Sequence, residues 1–194
     1  MNKREFMAAG ASIAALTALG GITAGCTTTS GASGDPAARR QAIDSAVDSA
    51  LSRLYREAKG SEEMVRSARG VLVFPNFVSA GFVVGGSHGQ GAMRQGGKTS
   101  GYFRMTEASV GLLAGAQSQA VFILFMTQEV LNRFESSRGW TAGADGSVAL
   151  LTVGADARVT TRTAQQPIVG FVLTNGGLMA NLSLNGNRVT PLDL

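Results

Sequence analysis

The feature that most constrains the fold is a change of hydrophobic period near Gly70. Between residues 37 and 59, apolar side chains recur at helical spacing, whereas after Gly70 short β-branched and aromatic runs alternate with glycines. Spacings of three and four residues place side chains on one face of a helix, and β-branched runs are typical of strands. The order predicts an α+β domain, with amphipathic N-terminal helices packed on a glycine-rich, mostly antiparallel β-sheet or barrel-like sheet.

The first predicted helix, residues 37–59, carries an apolar stripe that needs a partner surface. Pro36 suits its start and Gly60 its end. A second short helix is predicted from an N-cap at Ser61 to Gly70, with Glu62 and Glu63 near the positive end of its dipole. The stripe consists of Ile43, Ala46, Val47, Ala50, Leu51, Leu54, Tyr55 and Ala58. Such a stripe can face a protein core or a lipid surface, and the sequence leaves both uses open.

Strands are predicted wherever apolar runs lie between turn residues. Residues 121–126 are continuously apolar, as in a strand buried on both faces. Thr127 can cap a helix that reaches Phe134, and Asn185-Gly186 predicts a tight turn before Arg188 and Val189. The predicted strands are residues 71–74, stopped by Pro75 and Asn76, and residues 77–86, 91–104, 121–126, 148–153, 168–173 and 178–184.

The N-terminal segment has the pattern of an export signal. Lys3 and Arg4 precede an uncharged run, residues 6–25, that ends at Cys26. A basic region followed by an apolar stretch is typical of a secretory signal. The small residues before Cys26 resemble the bacterial lipobox, in which the signal is cleaved and the cysteine thiol is acylated. The alternative is an uncleaved transmembrane anchor, because about 20 apolar residues can span a bilayer.

This pattern predicts three parts. They are a lipoprotein signal peptide at 1–25, an acylated Cys26 with a Ser/Thr/Gly-rich flexible tether at 26–36, and a domain at 37–194. In lipoproteins that the segment resembles, Thr at the position of Thr27 favours export to the outer membrane. We therefore expect the protein to be an outer membrane lipoprotein of the bacterial cell envelope that faces the periplasm or the surface.

Composition excludes several classes of site. Of the 194 residues, 26 are glycine, one is cysteine and one is histidine, and the formal net charge is +4. A single cysteine excludes an internal disulfide framework and a cysteine-clustered metal site, and a single histidine excludes a histidine-rich one. The charge is a mild basic excess rather than the dense Lys/Arg coverage of a nucleic-acid-binding protein. We expect no metal, no cofactor and no nucleic-acid partner.

The segment at residues 85–91, GGSHGQG, is the strongest local candidate for chemistry. It matches neither GxGxxG nor GxxxxGK[ST], and a strand rather than a helix is predicted to follow, so it does not predict a phosphate-binding loop. The pattern favours a glycine-rich β-turn with His88 exposed to solvent. A general base at His88 would need a nucleophile or an orienting acid, and no GxSxG motif or cysteine partner is present. No catalytic residue is predicted.

Two groups of basic residues are candidates for contact with an anionic surface. The first group is interspersed with acidic residues; the second surrounds a predicted hairpin at Gly96-Gly97 and could form a local positive patch. The alternative for the second is ordinary solvated charge on an edge strand. Trp140 can serve as a core residue or as a membrane-interface anchor. The candidates are Arg53, Arg56, Lys59 and Arg69 in the first group, and Arg94, Lys98 and Arg104 in the second.

Several segments in order resemble the SYLF domain, also called the actin-binding domain of the yeast actin-patch proteins. They are ARGVLVFP at 68–75, AGFVVGG at 80–86 with Gly89 and Gly91, GLLAGAQ at 111–117, GWTAG at 139–143 and GLMANLSL at 177–184. The resemblance extends from about residue 46 to the C-terminus. Family members often carry Lys at the positions of Arg69 and Ser79, so the charge is kept at the first position and lost at the second.

The resemblance implies a lipid-binding module. Eukaryotic relatives bind phosphoinositides through basic residues and an amphipathic N-terminal helix, and some bind actin; bacterial relatives are often secreted proteins or lipoproteins. An exported bacterial protein would not meet actin, so actin binding is not expected, whereas an anionic phospholipid is the expected ligand. We expect a non-catalytic lipoprotein held at the membrane by acylated Cys26. The alternatives are an envelope scaffold that binds a protein partner, with lipid binding incidental, and a hydrolase that uses His88.

Overall fold

The computed structural model describes residues 35–81, 84–110, 115–151, 166–174 and 184–194. The signal peptide, Cys26 and most of the tether lie outside these residues, so their predicted roles stay predictions. Residues Gly34–Leu194 form one compact unit. In the part of the chain that is described, no helix combines the length and the apolar character needed to cross a membrane.

The fold is α+β, as predicted, and consists of three helices and a curled eight-stranded sheet among the described residues. Every strand pairing is antiparallel except that of β6 with β7, and the strand order is β5-β8-β3-β2-β1-β4-β7-β6. The elements are α1 (Pro36–Glu57), α2 (Ser61–Ser67), β1 (Gly70–Gly81), β2 (Val84–Gln95), β3 (Lys98–Val110), β4 (Gly115–Phe125), α3 (Gln128–Ser136), β5 (Trp140–Thr141), β6 (Ala149–Leu151), β7 (Ile168–Thr174) and β8 (Arg188–Pro191).

Both faces of the sheet are apolar at its centre, so helices cover both. Alternate residues of β4 belong to separate clusters: Phe122 and Leu124 pack with α1 and α2, and Val121, Ile123 and Phe125 pack with α3. We call these two sides of the sheet the α1 face and the α3 face. The prediction that this strand is buried on both faces is confirmed.

The apolar stripe of α1 packs into the core. Ile43, Val47, Ala50 and Leu54 are buried, and the helix lies against β1 and β2. The start of α1 is fixed by Asp35, whose side chain accepts a hydrogen bond from the backbone N–H of Ala37 at 2.9 Å. In this structure the stripe therefore serves the core and not a lipid surface.

The predicted caps differ in outcome. Thr127 caps α3, as predicted, by accepting a hydrogen bond from the N–H of Val130. Ser61 is instead the first residue of α2, and Gly60, with φ of 84°, occupies the cap position. The Ser61 hydroxyl is buried and donates a hydrogen bond to the carbonyl oxygen of Leu54 at 3.2 Å. It therefore links α2 to α1 and does not cap α2.

The glycine-rich segment 85–91 is the interior of strand β2, so its prediction as a β-turn was wrong. Strand β1 does not stop at Pro75-Asn76 but continues through a β-bulge, where a missing proline N–H is tolerated. Gly89 and Gly91 lie against this bulge. A Cβ on Gly91 would be 2.0 Å from the carbonyl oxygen of Val73, so the glycines allow close backbone approach and do not serve to turn the chain.

Other predicted strands have different bounds. The predicted strand 77–86 comprises the end of β1 and the start of β2, and the predicted strand 91–104 comprises the end of β2, a turn and part of β3. That turn is the predicted hairpin: Gly96 and Gly97 have φ of 55° and 80°, as a two-residue type I′ turn requires. Residues 152–153 and 178–183 lie outside the described part of the chain, and Leu184 precedes β8 without belonging to a strand.

Trp140 is a core residue. Its side chain is buried, and its ring centroid lies 5.9 Å from that of Phe134 and 6.2 Å from that of Phe125, in edge-to-face arrangements. The alternative of a membrane-interface anchor is therefore excluded in this conformation.

The contact between the bulge and β2 predicts different outcomes for two glycines of the same strand. Gly91→Ala should lower the free energy of unfolding by about 1–3 kcal/mol, since the added methyl group overlaps the backbone of β1. Gly86→Ala is the control, because its Cβ would meet only Glu107 O at 3.8 Å, and we expect a change within about 0.5 kcal/mol. Urea denaturation measures both; equal losses would contradict the close approach at Gly91.

Candidate functional site

Arg94, one of the predicted lipid-binding cations, is used inside the protein. It lies near the end of β2, beneath α1, and its side chain is only 12% exposed. Its Nη2 lies 2.6 Å from Asp48 Oδ1 and donates to the backbone carbonyl of Asp44 at 3.2 Å, and its Nη1 lies 3.3 Å from Asp44 Oδ1. The charge of Arg94 is thus balanced by two carboxylates of α1.

Asp44 is the centre of this arrangement. Its carboxylate accepts hydrogen bonds from the hydroxyl of Thr99 at 2.7 Å and from that of Tyr102 at 2.8 Å. Arg94 also donates to the Thr99 hydroxyl. Burial and the hydrogen bond to Asp44 raise the pKa of Tyr102 above its usual range. We call Asp44, Asp48, Arg94, Thr99 and Tyr102 the Asp44 clasp, because together they fasten α1 to the β2–β3 hairpin.

The sequence analysis did not identify Asp44 as a functional residue. Its only local signal is that Asp44 and Asp48 lie four residues apart beside the apolar stripe, which places both on one helix face. Their partner Arg94 follows 50 residues after Asp44 in the chain. Only the packing of α1 across the hairpin shows that these charges meet.

The other predicted cations are dispersed over the surface. Arg53 is half-buried, forms an ion pair with Glu57 at 2.7 Å and donates to the carbonyl of Thr174. Five are exposed and make no ion pair with any described residue: Arg56, Lys59, Arg69, Lys98 and Arg104. Their predicted role in lipid binding stays a prediction.

The structure does not bring Arg94, Lys98 and Arg104 into one hairpin patch. Lys98 begins β3 opposite Gln95, whereas Arg104 lies six residues further along the strand. At about 3.3 Å per residue their backbones are roughly 20 Å apart. Because Arg94 belongs to the Asp44 clasp and Lys98 and Arg104 lie far apart, the three cations do not form one positive patch.

A cavity of about 360 Å³ lies between α1, α2 and the Gly96-Gly97 turn. Its volume is near the lower end of the range of small-molecule sites. Arg66 at its border is paired with Glu62 at 2.6 Å. Burial, and secondly the charge of Glu62, raise the pKa of Tyr55. The apolar walls come from Leu51, Tyr55, Val65, Ala68 and Val71, and Asp48 and Arg94 of the Asp44 clasp complete the lining.

A row of polar side chains crosses four strands on the α3 face. Strand register places Gln117 beside Ser79, Ser79 beside Ser87, and Ser87 beside Glu107. The hydroxyl oxygens of Ser79 and Ser87 lie 2.8 Å apart. Burial raises the pKa of Glu107, and a hydrogen bond from Ser87 partly offsets that increase. The neutral, protonated form of Glu107 is therefore favoured more at this position than it is in water.

His88 does not join this row. Successive residues of a strand point to opposite faces, so His88 lies on the α1 face, away from Ser87 and Glu107. It is exposed, as predicted, but within a strand and not a turn. The geometry thus provides no pairing of this imidazole with the buried serine hydroxyl. Among the described residues, no group of three or more His, Cys, Asp or Glu side chains is placed to hold a metal ion.

The Asp44 clasp predicts unequal effects of removing two arginines. Arg94→Gln should lower the free energy of unfolding by about 1.5–3 kcal/mol, because charge-assisted hydrogen bonds of a nearly buried side chain are lost. Arg66→Gln removes an exposed i,i+4 pair and should cost less than about 0.5 kcal/mol. Urea denaturation compares them, and a loss at Arg94 no larger than that at Arg66 would contradict the clasp.

The surroundings of Glu107 predict a pH dependence. A raised pKa in the folded protein contributes stability below the usual carboxyl value of 4.5, and this stability is lost as pH rises through the folded-state pKa. Glu107→Gln should therefore be more stable than wild type at pH 7, and the difference should disappear at about pH 4 and below. Thermal unfolding across this range tests it, with Glu129→Gln as the exposed control; a wild-type advantage at pH 7 would refute it.

The C-terminal part of the chain matches a known family model. A family model described as "Ysc84: Las17-binding protein actin regulator" matches residues 106–193. The match runs from within β3 to residue 193, just past β8, and includes the predicted family segments at 111–117, 139–143 and 177–184. It confirms the resemblance to the SYLF domain family over these residues, whereas the segments at 68–75 and 80–86 lie outside the match. A search of curated proteins finds no significant match.

Proposed function

We propose that this protein is a membrane-tethered lipoprotein whose domain binds anionic lipid surfaces without catalysis, because residues 106–193 match a Ysc84-type model of the SYLF family, a family that binds lipids and actin. The observation that carries the proposal is the family match. The words Las17-binding and actin regulator describe the proteins of that family model. For this chain we assign the lipid half of the family's binding behaviour, since an exported protein does not meet actin.

The tether supplies the first part of the mechanism. Acylated Cys26, at the end of the uncharged run, anchors the chain, and about ten Ser/Thr/Gly-rich residues separate it from α1. The acyl chains keep the domain close to the bilayer, where a second, non-covalent contact can form. Binding of the domain to acidic headgroups provides this second contact in our proposal.

The second part is electrostatic rather than insertive. Val47 and Leu54 of α1 are fully buried against the sheet, so the helix that resembled a lipid-inserting element has its apolar side engaged. Exposed cations such as Arg69 and Arg104 remain, each worth about 1 kcal/mol near an anionic membrane. Contact of this kind weakens strongly as salt rises.

The proposal predicts anion-dependent, salt-sensitive flotation of the domain without its acyl anchor. The chain from Thr27 onward contains the whole compact unit Gly34–Leu194. We expect it to float with liposomes that contain phosphatidylglycerol, not with neutral phosphatidylcholine liposomes, and to be released at high salt. Circular dichroism and thermal unfolding establish that the protein tested is folded.

The full chain and its Cys26→Ser variant complete the experiment in cells. A wild-type chain that begins at Cys26 and carries the added mass of acyl chains in mass spectrometry supports acylation, with the variant left uncleaved, whereas a wild-type chain that keeps residues 1–25 supports an uncleaved transmembrane anchor. If the folded domain binds no liposome under any condition, lipid binding by the domain is refuted. Membrane association then rests on the N-terminal segment alone, and an envelope protein becomes the expected partner.

A further inference from the structure

Among the described residues, α1 and α2 cover one end of the α1 face of the sheet and leave the other end bare. Val71, Val73 and Ala92 of β1 and β2 are buried beneath the helices. Further along the same strands and on the same face, Val78 is 40% exposed and His88 is exposed. The bare end is therefore a solvent-facing sheet surface on β1, β2, β3 and β8.

Strand register aligns side chains from distant parts of the sequence on this surface. His88 is directly opposite Thr106, and Thr106 is directly opposite Arg188. Two residues along the strands, and on the same face, Arg104 is opposite Thr190. Arg104 is thus a diagonal neighbour of both His88 and Arg188, at about 7–8 Å. We call His88, Arg104, Thr106, Arg188 and Thr190 the β3–β8 platform.

The positive charge of the platform is not balanced by an ion pair. Arg104 and Arg188 are exposed and form no ion pair with any described residue. Glu107 belongs to the α3 face, since it adjoins Thr106 in the same strand. At the β5 edge Asp145 accepts a hydrogen bond from the backbone N–H of Thr141 at 2.7 Å, and it does not form a salt bridge to Arg188.

A glycine gives Arg188 its position. The guanidinium of Arg188 lies over Gly139, where a Cβ would be 2.8 Å from Nη2. The side chain can therefore lie along the sheet surface toward β5 rather than project into solvent. Strand register places Thr106 opposite Arg188 and Thr190 opposite Arg104, so each arginine has a threonine as its cross-strand neighbour.

We propose that the β3–β8 platform is the surface that docks on the headgroups of an anionic phospholipid bilayer. This inference rests on the proposed function and names the part of the domain that performs it. Guanidinium groups donate two parallel hydrogen bonds to a phosphate, and threonine hydroxyls add further donors. An exposed sheet face presents these donors side by side, as contact with many headgroups at once requires. The charge complementarity of this face therefore points to an anionic lipid surface.

The experiment compares two double substitutions that remove the same charge. Arg104→Gln with Arg188→Gln should lower the partition coefficient onto phosphatidylglycerol liposomes roughly 30-fold, since each near-surface cation contributes about 1 kcal/mol. Arg56→Gln with Lys59→Gln removes two exposed cations at the end of α1 and should change it less than about threefold. Both are measured by flotation at low salt, after thermal unfolding has shown that each variant is folded.

Charge addition provides a test that does not depend on loss of function. Thr106→Lys places a cation at the centre of the platform and should raise the partition coefficient about fivefold. Gln117→Lys adds the same charge to an exposed position on the α3 face and should leave it nearly unchanged.

The outcomes separate this inference from the function on which it rests. If the wild-type domain binds no anionic liposome, the proposed function fails and the platform fails with it. If wild type binds but the α1 variant loses as much as the platform variant, or Gln117→Lys gains as much as Thr106→Lys, only the platform is overturned. Inorganic phosphate that displaces the domain, when chloride at equal ionic strength does not, would indicate a discrete phosphate site and also overturn the docking surface.

Discussion

Burial of the central strands on both sides determines most of this structure. Residues 121–125 of β4 have no exposed surface, and their side chains alternate between two separate apolar clusters. A sheet that is apolar on both faces needs a covering layer on each. Helices α1 and α2 form this layer on one face, and α3 forms it on the other. Since the apolar stripe of α1 is buried against the sheet, the helix is not free to enter a bilayer while the domain is intact. In the part of the chain that is described, the far end of the α1 face stays uncovered, and polar and basic residues occupy it.

The Asp44 clasp solves a second problem, which is how one helix is held in a single position on an apolar surface. Apolar contact alone is not directional, whereas the hydrogen bonds from Arg94, Thr99 and Tyr102 to Asp44 fix both the position and the rotation of α1. Removing charges from water costs free energy, and the clasp offsets this cost because Arg94 meets two carboxylates and Asp44 meets two hydroxyl donors as well. A cation that is needed for this purpose inside the protein contributes little to attraction of a membrane outside it.

Local signals in the sequence were sufficient for the helices and much of the sheet, but not for the surface. The stripe from Ile43 to Ala58, the cap at Thr127 and the turn at Gly96-Gly97 depend on neighbouring residues, so their patterns predicted them correctly. The glycines at 85–91 were misjudged because their reason lies in another strand, at the bulge of β1. Arg104 and Arg188 are 84 positions apart, and only the pairing of β3 with β8 makes them neighbours. No local pattern carries that information.

The proposed mechanism combines two contributions, the acyl anchor of Cys26 and the attraction of the platform to acidic headgroups. The fold explains why the attraction of the platform does not have to be strong. In this mechanism the acyl chains would hold the domain at high local concentration near the bilayer, so the platform would need to contribute only a few kcal/mol to keep it in contact. A few arginines on a bare sheet face can supply that amount, without a deep pocket and without unfolding a helix. The helices can then remain committed to the core, and the domain can approach and leave a membrane as a rigid body. Recognition in this arrangement comes from the strand register, which sets the spacing of the cations, and this spacing is as fixed as the hydrogen bonds of the sheet.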